Sequence, residues 1–156
     1  MTKQNVFGLL LVGLLLTAIG CGPPGRGLRV EFVEGSVTLD GQPLGGVSIT
    51  FIPINEGDGT ESALGRSKEN GVYRLSSMNG DPERGAVAGE YRIIASKTEV
   101  NDPMLGMSTE EAAASGLTVT HTEILPAIYR DRSNSPLTAT VKRGKNKIDL
   151  ELKSKP

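Results

Sequence analysis

The stretch Gly35 to Pro53, GSVTLDGQPLGGVSITFIP, decides how this chain folds. Ser36-Val37-Thr38-Leu39 alternates polar with apolar, Asp40-Gly41 is a strong two-residue hairpin signal, and Gln42-Pro43-Leu44 returns before Gly45-Gly46 interrupts the strand. Val47, Ile49 and Phe51 then fall on one face and Ser48 and Thr50 on the other, up to Pro53. A period of two with one apolar face is a strand half-buried against a core. The spacing predicts a β-hairpin followed by a second half-buried strand.

The same grammar continues outward. Folded sequence begins around Val30. Ser62 to Ser67 leads to Glu69-Asn70-Gly71, where Asn-Gly suits the positive φ angles of a tight turn, and Tyr73 and Leu75 follow on one face. After the irregular NGDPERGAVA (79–88), Gly89-Glu90 opens a strand with Tyr91, Ile93 and Ala95 inward. Leu137, Ala139 and Val141 make one more apolar face, and Ile148, Leu150 and Leu152 another, with Arg143-Gly144-Lys145-Asn146 as a compact turn between them. Twenty glycines and nine prolines fit short strands joined by tight turns. Seven such strands predict an all-β domain of two sheets packed face to face.

One segment breaks the pattern. Ser108-Thr109-Glu110-Glu111 is a capping box, Ala112 to Ala114 favour helix, and Gly116 is a natural stop, so one short helical insert is expected. The surrounding Asn101 to Ile124 is long for a loop and is expected to cap one end or edge of the sandwich.

The start of the chain is of another kind. Lys3 is the lone charge ahead of an apolar run from Val6 to Gly20, shorter than the roughly 20 residues a membrane-crossing helix needs. It is a leader that is cut off. Ala18-Ile19-Gly20-Cys21 resembles the lipobox of bacterial lipoproteins, with Ala18 where the family usually has leucine. That resemblance implies acylation of Cys21, the single cysteine, and anchoring to a bacterial membrane, the outer membrane being favoured because Gly22 and not aspartate follows. Ordinary secretion would cut at the same bond and leave a free thiol. The expected organisation is a signal peptide over 1–20, a lipid-anchored tether over 21–28 (CGPPGRGL), and one domain over 29–153. With that thiol acylated no disulfide is available, and stability must come from the core.

The quoted stretch, together with GVYRL (71–75) and GEYRI (89–93), resembles the carboxypeptidase regulatory-like and transthyretin-like domains. The C-terminal ILPAIYRDRSNSPLTATVKRGKNKIDLEL resembles small bacterial envelope lipoproteins built around such a domain. The resemblance implies a seven-stranded Greek-key β-sandwich. It carries no chemistry with it.

The residues offer little chemistry of their own. His121 is the only histidine, no G-x-S-x-G elbow occurs, and an acylated Cys21 cannot pair with a base. The transthyretin-related hydroxyisourate hydrolases use several histidines and a C-terminal Tyr-Arg-Gly-Ser, whereas this chain ends Lys153-Ser154-Lys155-Pro156. Glu56, Asp58 and Glu61, or Asp81 with Glu83, could ligate calcium weakly, but their spacing is not that of an EF-hand and they read as solvated turn acids. Single His and Cys residues exclude a zinc-ligand spacing. No cofactor is expected.

Seventeen basic against eighteen acidic side chains give no electrostatic case for a nucleic-acid partner. Lys142, Arg143, Lys145 and Lys147 flank a hairpin turn and read as a solvated edge, with contact to anionic headgroups as the alternative. Stacking on sugars has one available aromatic, Tyr129, ahead of Arg130-Asp131-Arg132. The sequence therefore leads to a non-enzymatic envelope lipoprotein, tied to the membrane through Cys21 and presenting a β-sandwich to a protein partner or as structural support. A glycan- or ligand-binding module is the rival, and a hydrolase the distant third.

Overall fold

The computed structural model describes residues 29–55, 61–77 and 85–156. The leader, Cys21, the tether, and Glu56, Asp58, Asp81 and Glu83 lie outside them. Gly35 to Pro53 forms the second half of β1 (Val30–Leu39), β2 (Gln42–Pro43) and β3 (Ser48–Pro53). Asp40 and Gly41 both have positive φ, 50° and 83°, as a two-residue hairpin turn of the primed type requires, and Leu39 pairs with Gln42 across it. The Gly45-Gly46 break is held by Ser67, whose hydroxyl accepts the Val47 N–H at 2.9 Å and donates to the Leu44 carbonyl at 2.8 Å. Val47, Ile49 and Phe51 are buried as their alternation demands.

β4 (Ala63–Arg66) and β5 (Val72–Ser77) follow. Their turn differs from the expected one. Gly71 alone takes positive φ, 79°, and the Lys68 carbonyl accepts the Gly71 N–H, so the turn runs over four residues. Asn70 works through its side chain, which accepts the Val72 N–H at 3.1 Å. After β6 (Ala86–Val87), β7 (Gly89–Ser96) buries Tyr91, Ile93 and Ala95. The chain then forms β8 (Thr98–Asn101), α1 (Thr109–Ser115) and β9 (Thr120–Glu123), a single 3-10 turn at Ala127–Arg130, and β10 (Thr138–Val141), β11 (Lys145–Lys147) and β12 (Leu150–Leu152).

The main sheet runs β10-β7-β3-β4-β5-β1-β11, with β2, β6 and β12 also paired to β1. β10 and β11 are consecutive in the chain, separated by residues 142–144, yet stand at opposite ends of that order. So short a connection joins the two ends only because the sheet has curled on itself. The fold is thus mostly β, a curled and largely antiparallel sheet with one short helix. The two C-terminal strands are the exception to antiparallel pairing. β11 runs parallel to the first half of β1 (Phe32 with Lys145) and β12 parallel to its end (Val37 with Leu150). The basic residues at 142–147 therefore flank a crossover from one edge to the other and not a hairpin turn.

Between β11 and β12 the ladder jumps, and side chains bridge the gap. Ile148 donates its N–H to the Glu34 carbonyl at 2.9 Å, while its own carbonyl accepts the Tyr73 hydroxyl at 2.7 Å. Asp149 accepts both the N–H and the hydroxyl of Ser36 at 2.8 Å, and the Ser36 hydroxyl is the chief reason its carboxyl lies below the usual range. Gly35 makes this possible. A Cβ there would lie 1.7 Å from the Ile148 carbonyl oxygen and 2.9 Å from the Tyr73 ring. Burial raises the Tyr73 phenol above its ordinary value, and burial also pushes Tyr91, which donates to the Val87 carbonyl at 2.7 Å, up to about 12. Both therefore remain neutral donors around neutral pH.

At the start of β1, Glu31 is inward and buried. It is held by Arg29 at 3.0 Å and by the Gly144 N–H at 2.7 Å, which ties the crossover to the first strand. Two glycines of the opening stretch should respond differently to substitution. Gly35→Ala forces backbone apart and should cost roughly 3 kcal/mol. Gly41→Val meets no atom within 4 Å and should cost only its backbone strain, about 1–2 kcal/mol. Urea denaturation of the two variants checks the order.

Candidate functional site

At the end of β7 the chain leaves the main sheet and does not rejoin it until β10, about forty residues later. β8 and β9 pair only with each other, Thr98 opposite Glu123 and Val100 opposite His121, as a separate two-stranded ribbon. Its root is closed by the Ile124 N–H donating to the Lys97 carbonyl at 2.9 Å, and by Thr98 donating to the Glu123 carboxylate at 2.7 Å. Arg130 reaches the same carboxylate at 3.3 Å. The far end carries α1. Ser108 accepts the Glu111 N–H at 3.3 Å and the Glu111 carboxylate accepts the Ser108 N–H at 3.0 Å, the reciprocal capping box read from the sequence. That backbone hydrogen bond holds the Glu111 carboxyl below its usual range. Gly116 ends the helix in the left-handed conformation, φ 66°.

The helix is where the sequence placed it, but its expected role as a cap is not. α1 buries no residue, and every residue of β8 and β9 is exposed. Its central side chains are alanines, which supply too little apolar surface to hold a helix on a sheet. The insert is instead a projecting arm. Along it Leu105 is 86% exposed and Val100 58%, with Met107, Leu117 and Val119 also open to solvent. These residues have no helical or strand period, which is why sequence reading passed over them. Their surroundings are acidic: Glu99, Asp102, Glu110, Glu111 and Glu123 stand in the arm with no lysine or arginine.

The residues singled out in the sequence are scattered. His121 lies on the exposed face of the ribbon opposite Val100, with no serine or acid bonded to it among the described residues. Tyr129 is not available for stacking. It is buried, and its hydroxyl accepts the Lys153 N–H at 2.9 Å, so the ring that appeared to precede a polar loop is a core residue fastening the C-terminus. Glu61 is engaged by the Ser77 hydroxyl. Lys142, Arg143, Lys145 and Lys147 are exposed, and Asn146 organises their turn by accepting the Lys142 N–H and donating to the Lys142 carbonyl, each at 2.8 Å. Among the described residues no group of three or more His, Cys, Asp or Glu side chains is placed to hold a metal ion, and no helix is long and apolar enough to cross a membrane.

No protein-family model, curated protein or solved structure matches the chain.

The arm should therefore be replaceable without harm to the fold. Because Leu105 and Met107 contact solvent and not the core, Leu105→Asp with Met107→Asp should change the unfolding free energy by less than about 0.5 kcal/mol. Urea denaturation of the double variant checks this.

Proposed function

We propose that the chain is a lipoprotein of the bacterial envelope, anchored through Cys21, that presents a non-enzymatic β-sandwich domain and docks a protein partner through the arm. The resemblance of the opening stretch, GVYRL and GEYRI to carboxypeptidase regulatory-like and transthyretin-like domains supports the Greek-key sandwich, and the curled sheet is compatible with it. The leader ending in Ala-Ile-Gly-Cys supports the anchor, and Gly22 the outer membrane.

The observation that carries the interaction reading is the arm itself. Apolar side chains held away from the core on a ribbon contribute nothing to folding and invite a partner to cover them. Asp102, Glu110 and Glu111 on the arm, with no lysine or arginine beyond its root, disfavour an anionic lipid surface and favour a protein with an apolar pocket rimmed by lysine or arginine. The anchor and short tether would hold the domain near one membrane, where the arm could reach other envelope proteins.

The test has two parts. The wild type should incorporate radiolabelled fatty acid and partition with membranes, and Cys21→Ser should take up no label and be left uncleaved or released. A photo-crosslinker at Leu105 should give a discrete crosslinked protein in intact envelopes that one at Lys145 does not. A wild type that takes up no label and behaves as soluble contradicts the anchor. Identical crosslinking from both positions contradicts the arm.

A further inference from the structure

The outward face of β3, β4 and β5 carries a row of hydroxyls beside two arginines. The register puts Ser48 opposite Arg66 and Thr50 opposite Leu64, then Leu64 opposite Ser76. Gly65 opposite Leu75 sets Arg66 beside Arg74 on the next strand. Together these residues line one shallow open groove. Its floor is Leu64, its sides are hydroxyls, and two guanidinium groups stand along it.

The two arginines are not equivalent. Arg74 is held in place: its Nε faces a Glu34 carboxylate oxygen at 3.4 Å, and its guanidinium carbon lies 5.5 Å from the centre of the Phe32 ring. That leaves its two terminal nitrogens without a hydrogen bond among the described residues. Arg66 has no acid partner among the described residues. The next cation, Lys97, flanks Gly46 together with Arg66, and it is already paired with Glu99 at 3.2 Å. Arg66 thus sits between two ion pairs, Arg74 with Glu34 and Lys97 with Glu99, as the cation left over. Like charges directly across a ladder are unfavourable, so this pair carries a repulsion that a bound anion would relieve. The planar fork of each guanidinium matches the two oxygens of a carboxylate or phosphate.

We propose that this groove binds an oxyanion-bearing saccharide, its acidic group held between Arg66 and Arg74 and its hydroxyls hydrogen-bonded by Ser48 and Thr50, with Ser76, whose own hydroxyl donates to the Leu64 carbonyl at 3.4 Å, able only to accept. No aromatic ring is free in the groove to stack on a sugar face, since the Phe32 ring is covered by Arg74. Recognition depends on the charge, and neutral sugars are not ligands. An open groove of this depth suits a chain of sugars in which several units each contribute weakly. The site does not depend on acylation of Cys21 or on the arm.

The experiment is titration of the purified full-length chain in detergent with a short oligogalacturonate, with a sugar phosphate, and with a neutral oligosaccharide of equal length. Binding is followed through the amide resonances of Ser48, Arg66 and Ser76. The acidic ligands should shift those resonances and the neutral one should not. The tighter of the carboxylate and the phosphate identifies which oxyanion the site takes. Arg66→Gln should weaken binding about tenfold or more, and Arg66→Lys should restore part of it. Lys145→Gln, which removes an equal charge from the sheet's far edge, should leave it unchanged. Binding of neither acidic ligand, equal binding of the neutral sugar, or equal loss in Arg66→Gln and Lys145→Gln would each overturn the proposal.

Discussion

The hydroxyl of Tyr73 reaches the carbonyl of Ile148 across the space left by the missing side chain of Gly35, and the arrangement of the sheet depends on that contact. β1 pairs with five other strands, so its register sets both the middle of the sheet and its C-terminal edge. Two of those partners, β11 and β12, are only three residues long. Parallel strands of that length have few ladder hydrogen bonds to hold them. Their register is fixed where the chain passes from one to the other, by Ile148 on Glu34 and Tyr73 and by Asp149 on Ser36. Glu31 holding the Gly144 N–H fixes the same edge from the other end.

This division explains how much of the fold is legible in the sequence. The Asp40-Gly41 turn, the buried faces of β3, β5 and β7, and the capping box of α1 depend on residues within a few positions of one another, and the structure has them all. The direction and pairing of the last strands depend on residues more than a hundred positions apart, such as Ser36 with Asp149. Nothing local marks that a strand near the C-terminus returns parallel to the first. Tyr129 illustrates the same limit: polar neighbours made it read as exposed, while its turn packs against β7, more than thirty positions earlier, and its hydroxyl accepts the Lys153 N–H beyond the last strand. The Asn70-Gly71 turn failed more narrowly, since Asn-Gly fits two turn geometries and docking against β1 selects one. There the Gly71 carbonyl accepts the Val37 N–H at 2.9 Å.

The candidate functional surfaces were less legible still. Arm residues such as Leu105 and Val119 have no periodicity to distinguish them from loop residues, and only their detachment from the core gives them meaning. Arg66 and Arg74 are separated by a turn in the sequence and become neighbours only through strand register. The two surfaces differ in chemistry, one apolar with acids and the other cationic with hydroxyls, and they meet at the root of the arm through Lys97 and Glu99. Both project from a core that leaves them free, because the inward faces of β3, β4, β5 and β7 supply the packing.

The Tyr73 hydroxyl fixes the C-terminal edge through Gly35, and Tyr73→Phe tests this with the smallest change in packing. Amide hydrogen exchange read beside urea denaturation is the measurement. The expected result is a loss of about 1–3 kcal/mol, from a carbonyl left without its partner, and faster exchange concentrated at Ile148 and in β11 and β12. Stability unchanged within about 0.5 kcal/mol, with exchange at those amides as slow as in the wild type, would contradict it.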